Sequence, residues 1–358
     1  MRALRDTRPV LVTGGAGFIG CNIADRLAGE GHEVIILDAL SRPGVERNLR
    51  WLKDRHGSRI TSVIADVRDE DEVARAAADV KGVFHMAAQV AVTTSLGDPR
   101  EDFDINIRGT LNVLDAVRLR GELVPVIFSS TNKVYGDLGD LRIEAKDDCY
   151  RPKDLVARRG MSEVRALDFH TPYGCSKGAA DQYVLDYARS YGIPSVVFRM
   201  SCIYGERQMG TEDQGWVAHF LIRALEGRPI TIYGDGRQVR DILDVSDAVD
   251  AYVRAFERAE DVAGNAFNLG GGPTNAISLL QLIDEMSAIT DRKISIDFQA
   301  WRQGDQRWYV SDTAKAREVL GLGRPLGWRE GVAKLARWLA TERNVLLPDA
   351  ASFASAAE

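Results

Sequence analysis

The chain has 358 residues, more than one hydrophobic core usually serves, so a large α/β unit or a main domain with a smaller partner is expected. An apolar fraction of 45% and a charged fraction of 27% are ordinary for a soluble globular protein, and no run reaches the roughly 18 apolar residues of a membrane span. A net charge of -6 and a pI near 5.6 argue against a broad nucleic-acid or membrane surface and leave a small molecule as the expected partner.

The opening "MRALRDTRPVLVTGG" carries charges where an export signal has its apolar core, which points to the cytoplasm. Cys21, Cys149, Cys175 and Cys202 are scattered, without a disulfide framework or a metal-ligand spacing, so no metal is expected. Through residue 200 the β-branched runs "PVLVT", "EVIIL", "ITSVIA", "GVFHM", "PVIFSS" and "SVVFRM" alternate with amphipathic stretches. That rhythm predicts an α/β fold with a Rossmann-type doubly wound parallel sheet.

After Arg199 the rhythm breaks. Residues 201–240 read as loops, "DILDV" and "NAFNLGG" as further strands, and "SLLQLIDEMSAI" as a helix. In that helix Ser278 and Gln281 have capping-box spacing, and Leu279, Leu282, Ile283 and Met286 form an apolar face. The expected division is a first domain over 1–200, to which 241–270 return, and a smaller discontinuous C-terminal domain over 201–240 and 271–345. A frayed tail is expected over 346–358, where the residues are small and polar.

The turn after the first strand, "VLVTGGAGFIG", has Gly14, Gly17 and Gly20, with Phe18 and Ile19 opening the next helix. A side chain at such a turn would keep a dinucleotide pyrophosphate from the N–H groups of the helix start. Glycine spacing alone also fits a plain tight turn. Asp38 supplies context, because it ends the next strand, where a carboxylate accepts ribose hydroxyls and repels a 2'-phosphate. NAD is thus favoured, with Arg42 keeping NADP open. Asp66 and Val67 follow the third strand, placed for an adenine or simply exposed. Ala87, Ala88 and Gln89 in "HMAAQ" fall beside the expected nicotinamide half, and His85 reads as a packing residue.

In "TPYGCSKGAADQYVLDYARSYG" Tyr173 and Lys177 share one helix face. A tyrosine is a poor base at its ordinary pKa of about 10. A neighbouring ammonium and an oxidised nicotinamide both favour its ionised form. Such pairs also arise by chance on exposed helices, and the glycine turn upstream makes this one a catalytic candidate. Thr131 ends the fifth strand in "SSTNKVYGDL", at the strand ends where doubly wound sheets gather their ligands.

Residues 9–340 resemble the extended short-chain dehydrogenase/reductase superfamily, the NAD-dependent nucleotide-sugar epimerases and dehydratases. Within it, "SSTNKVYGDL", "LDFHTPYGCSKGAADQYVLDYAR", "YGERQ", "DQGWV", "GNAFNLGG" and "GDQR" are similar to the CDP-paratose (CDP-tyvelose) 2-epimerase branch. The dehydratases carry an Asp-Glu pair after the threonine, where this chain has Asn132 and Lys133. An amide and a lysine do not replace two carboxyl groups as acid and base, so dehydration is disfavoured. The resemblance implies an isomerase that oxidises a sugar carbon transiently and returns the hydride to the other face, at carbon 2 of a CDP-linked dideoxyhexose. A UDP-sugar or other nucleotide-sugar 4-epimerase is the alternative enzyme, and a non-catalytic dinucleotide-sensing regulator is the alternative from another class.

A nucleoside diphosphate needs cations, and Arg207, Arg237, Arg240 and Arg307 are the candidates, each also readable as a solvated surface residue. Arg240 in "GDGRQVRDILDV" and Arg307 in "GDQR" match the family's diphosphate segments. Gln89, Thr93, Thr94 and Asn132 are candidates for the sugar. Ser201 and Cys202 stand where many relatives have an Asn, with Ser201 the substrate candidate, while Asn106 and Thr110 read as structural. Residues 139–165 match the family only beyond their end. The helices "NIRGTLNVLDAVRL" and that of Tyr173 resemble those of a four-helix interface, which implies a homodimer or a higher oligomer.

Overall fold

The computed structural model describes residues 6–302 and 304–348. Seven parallel strands form the central sheet, in the spatial order Asn265–Leu269, Ser195–Met200, Val126–Thr131, Gly82–His85, Val10–Thr13, Val34–Leu37 and Ile60–Val63. Strands such as "VLVT" and "VIFSST" are buried at every position, because helices cover both faces of the sheet. Phe18–Gly29 and Val45–His56 pack on one face with Val245–Glu257, and Glu70–Ala77, Gly109–Arg118 and Thr171–Tyr191 pack on the other. Chain order reverses between Val10–Thr13 and Gly82–His85, which opens a crevice at their carboxyl ends.

The helix Thr171–Tyr191 has Pro172 in its first turn and stops at Gly192, whose φ of 70° gives the left-handed C-terminal cap. It anchors to the sheet through a buried ion pair, Arg199 Nε to Asp181 Oδ2 at 2.9 Å and Nη2 to Oδ1 at 3.0 Å. Ser130 Oγ also donates to Asp181 Oδ2 at 2.8 Å, and Arg199 Nη1 reaches the Tyr135 hydroxyl at 3.2 Å. That hydroxyl donates onward to Asn268 Oδ1 at 2.8 Å. One network thus ties three strand ends to the helix.

A second apolar core lies under the helices Trp216–Leu225, Leu279–Thr290 and Trp328–Arg343. Beside it Val239–Asp244 pairs with Cys202–Tyr204, Ala276–Ser278 and Trp308–Tyr309, and Ile230–Tyr233 pairs with Ile296–Gln299. Both halves of the capping box are made, with Gln281 N donating to Ser278 Oγ at 3.1 Å and Ser278 N to Gln281 Oε1 at 3.0 Å. The loop-like reading of 201–240 is corrected, since two strands and the helix Trp216–Leu225 lie there. Flanking glycines and turn residues masked an apolar stripe of Val217, Phe220, Leu221 and Ala224, all buried. Residues 139–165 include a hairpin of Ile143–Lys146 and Cys149–Pro152, joined to the small sheets by Tyr150 OH donating to Asp235 Oδ2 at 2.6 Å. From residue 349 onward the tail expected over 346–358 lies outside the described residues, as do residues 1–5 of the charged opening.

Candidate active site

A cavity of about 640 Å³ follows the carboxyl ends of the central strands, from the glycine turn past Thr131 and Tyr173 to Arg240 and Arg302. Gly14 has φ of +65°, and a Cβ there would lie 2.6 Å from the Ala87 nitrogen. At Gly20 a Cβ would come within 2.3 Å of the Gly14 carbonyl oxygen, so only glycine lets the helix start close on the turn. No side chain caps that start, and Gly17, Phe18 and Ile19 lie on the cavity wall. A backbone cradle closed to any Cβ, ahead of an uncapped helix, fits a pyrophosphate. Asp38 is on the same wall, its Oδ2 accepting from Ala16 N at 3.0 Å and its Oδ1 from Leu40 N at 2.9 Å. Arg42, Asp66, Val67, Ala87 and Ala88 line the cavity beside it, with Asp66 Oδ2 paired to Arg68 Nη2 at 2.7 Å. These residues fit NAD.

Farther along, Tyr173 shares the cavity wall with Thr131, whose nearby hydroxyl favours the phenolate of Tyr173. Its backbone N–H donates to Ser95 Oγ at 3.1 Å, which fixes the first turn of the helix. Lys177 is buried behind this pair, its Nζ 4.3 Å from the centre of the Phe128 ring. The sequence suggested that the ammonium holds the tyrosine ionised. Within the protein alone, burial dominates both groups, pushing the phenol up to about 12 and the lysine down to about 7. Asp181 and Asp102 oppose the fall of Lys177, and Arg42 opposes the rise of Tyr173. His85 sits between the Thr13 and Thr110 hydroxyls at 2.7 and 3.0 Å, and burial pushes it down to about 3. It is a neutral packing group.

At the other end of the cavity, Arg240 Nη2 pairs with Asp305 Oδ1 at 2.6 Å. Asn132 Nδ2 donates to Gln306 Oε1 at 3.3 Å and Lys133 Nζ to the Gly304 carbonyl at 3.0 Å. The pair that replaces the dehydratase carboxyl groups therefore straps the 304–306 loop to the end of a central strand. Thr93, Ser201 and Cys202 also line the cavity, with Ser201 Oγ donating to the Asp241 carbonyl at 2.9 Å.

Five substrate candidates are absent from this wall among the described residues, namely Gln89, Thr94, Arg207, Arg237 and Arg307. Gln89 spends its amide on the Ala91 carbonyl and Asp102 Oδ1, both at 2.9 Å. Arg207 lies over Trp51 at 3.9 Å, and Arg307 over Trp301 at 5.3 Å, because aromatic faces compete with water for a guanidinium. Arg237 is likewise turned aside, donating to the Asp147 carbonyl at 3.0 Å. Asn106 donates to the Gln89 carbonyl and to Ser176 Oγ, both at 3.0 Å, which ties the loop after the fourth strand to the Tyr173 helix. Arg302, which sequence reasoning missed, is on the wall, between Glu212 and Asp213 at 3.5 and 3.4 Å and over the Tyr233 ring at 3.8 Å. Its only signal in the sequence is its place two residues before "GDQR".

The profile of the NAD dependent epimerase/dehydratase family matches residues 10–270. The chain is 41% identical over 336 residues to a CDP-paratose 2-epimerase of Salmonella typhi, covering 92% of this chain and 98% of that one. Among solved structures, the UDP-glucose 4-epimerase of Thermotoga maritima with UDP-glucose is similar at a TM-score of 0.79 and 31% identity, covering 94% and 99% of the two chains. The UDP-glucuronic acid 4-epimerase of Bacillus cereus in complex with UDP-glucuronic acid and NAD gives 0.80 and 26%, covering 93% and 99%.

Proposed function

Because the chain belongs to the NAD dependent epimerase/dehydratase family, we propose that it inverts carbon 2 of a CDP-linked dideoxyhexose through a transient keto sugar. The observation that carries the chemistry is the placement of Thr131 and Tyr173 together on the wall of a cavity that begins at a dinucleotide cradle. Similarity to the Salmonella 2-epimerase supports the choice of sugar and base.

NAD, which the glycine turn, Asp38, Asp66 and Val67 would hold, would supply an acceptor and donor of hydride for the sugar carbon. Tyr173 accepts the proton of the sugar hydroxyl, and Thr131 holds the same oxygen. Lys177, buried behind them, supplies positive charge that favours the phenolate. Arg240 and Arg302 hold the diphosphate once it displaces the carboxylates of Asp305, Glu212 and Asp213. A division into an NAD-binding part, 1–200 with 241–270, and a nucleotide-sugar-binding part, 201–240 with 271–345, is supported by the apolar core under Trp216–Leu225, Leu279–Thr290 and Trp328–Arg343, which is distinct from the cores on the two faces of the central sheet. Four free cysteines support a cytoplasmic setting.

The test is product analysis by NMR on a panel of CDP-, UDP- and dTDP-sugars. Inversion at carbon 2 of a CDP-dideoxyhexose, with no net change in cofactor redox state, is the expected result. Turnover confined to carbon 4 of UDP-sugars would replace this reading, and bound NAD without conversion of any sugar would point to a sensor. A homodimer is part of the proposal, supported by apolar side chains left exposed on two neighbouring helical segments, Phe103 and Leu119 on one and Tyr183 and Tyr191 on the other. Light scattering should give twice the chain mass of 39.4 kDa, and a monomer at micromolar concentration removes the dimer.

A further inference from the structure

Lys133 is a cation in the cavity that the chemistry above does not use. It follows Thr131 by two residues, and the one hydrogen bond of its ammonium found among the described residues goes to the Gly304 carbonyl at 3.0 Å. An ammonium has three donors, so this bond leaves capacity for a ligand. Arg240 differs in already having a carboxylate, that of Asp305, at 2.6 Å.

The position of the cation matters because of where the diphosphate sits on the sugar. Carbon 2 is bonded directly to the carbon that carries the diphosphate, whereas carbon 4 lies across the ring. When carbon 2 faces Tyr173, the sugar-bearing phosphate must lie beside the catalytic pair, out of the place it takes in a carbon-4 reaction. A cation is then needed near Thr131, and Lys133 is the one the chain supplies on the same turn.

We propose that Lys133 binds the sugar-bearing phosphate of the substrate and thereby presents carbon 2, not carbon 4, to Tyr173, an inference that rests on the 2-epimerase reading. Burial, with Arg240 and against Asp305, Cys202 and Asp137, brings the lysine down to about 8. The protonated form binds the phosphate, so affinity is complete below that value and is lost as pH rises through it.

Lys133→Gln removes the charge while keeping a donor for Gly304, and Lys133→Arg keeps the charge. The Gln variant should raise KM for the CDP-sugar about tenfold to a hundredfold, with a smaller effect on kcat and with NAD content unchanged as evidence of folding. Its KM should also lose the rise that the wild type shows above a pH of about 8, and the Arg variant should recover most of the affinity. A Gln variant with wild-type KM and the same pH dependence overturns the inference, as does an Arg variant that loses affinity equally. Those outcomes leave wild-type turnover at carbon 2 intact, whereas absence of that turnover sinks the parent reading and this inference together.

Discussion

Tyr173→Phe is expected to lower kcat by about a hundredfold to ten-thousandfold while NAD stays bound, because it deletes the oxygen proposed to take the proton and almost nothing else. Tyr173 is buried to 8% exposure, its ring is kept by the substitution, and its backbone bond to Ser95 is untouched, so the fold has little reason to respond. Cofactor content by mass spectrometry and turnover by NMR check the two halves separately. Unchanged turnover in this variant would end the mechanism. The pH profile should change as well. With its pKa pushed up to about 12, the phenol offers more of its base form as pH rises, so wild-type kcat/KM should climb on the acidic side. Lys177, brought down to about 7, and Lys133, brought down to about 8, lose their charges in the same range and pull the profile down on the alkaline side. In the Phe variant the rising limb should disappear.

Arg199→Met should destabilise the protein by about 3–5 kcal/mol, because it leaves the charge of Asp181 buried without its partner. Asp181 has no solvent exposure, and the arginine makes two of the three contacts described for it above. The midpoint of urea unfolding reads the loss directly. Adding Asp181→Leu to the same chain should recover most of it, since replacing both members of such a pair is often neutral. A single variant as stable as the wild type would show that the pair is dispensable.

The parts of the site that depend on neighbours in sequence were legible. The glycine turn is a local constraint on backbone approach, and Tyr173 and Lys177 share a helix face by spacing alone. The partners of the arginines were not, because they are set by distant chain segments: Arg207 finds Trp51 and Trp338, and Arg302 finds Glu212 and Tyr233. Burial is a property of the folded whole, so spacing suggested a phenolate where the enclosed pair, taken alone, favours the neutral phenol. The helix Trp216–Leu225 was obscured for a simpler reason, since its apolar stripe is short and the surrounding composition suggests turns.

The strap from Asn132 and Lys133 to the 304–306 loop bears on how this scaffold changes trade over evolutionary time. Exchanging the amide and ammonium for two acids would set negative charge against the Gly304 carbonyl and the Gln306 amide oxygen, so a water-eliminating descendant would have to remodel a segment 171 residues downstream as well. A change of reaction type on this scaffold is thus expected to need matched changes in distant segments, because a single-site exchange would leave the 304–306 loop without its partners.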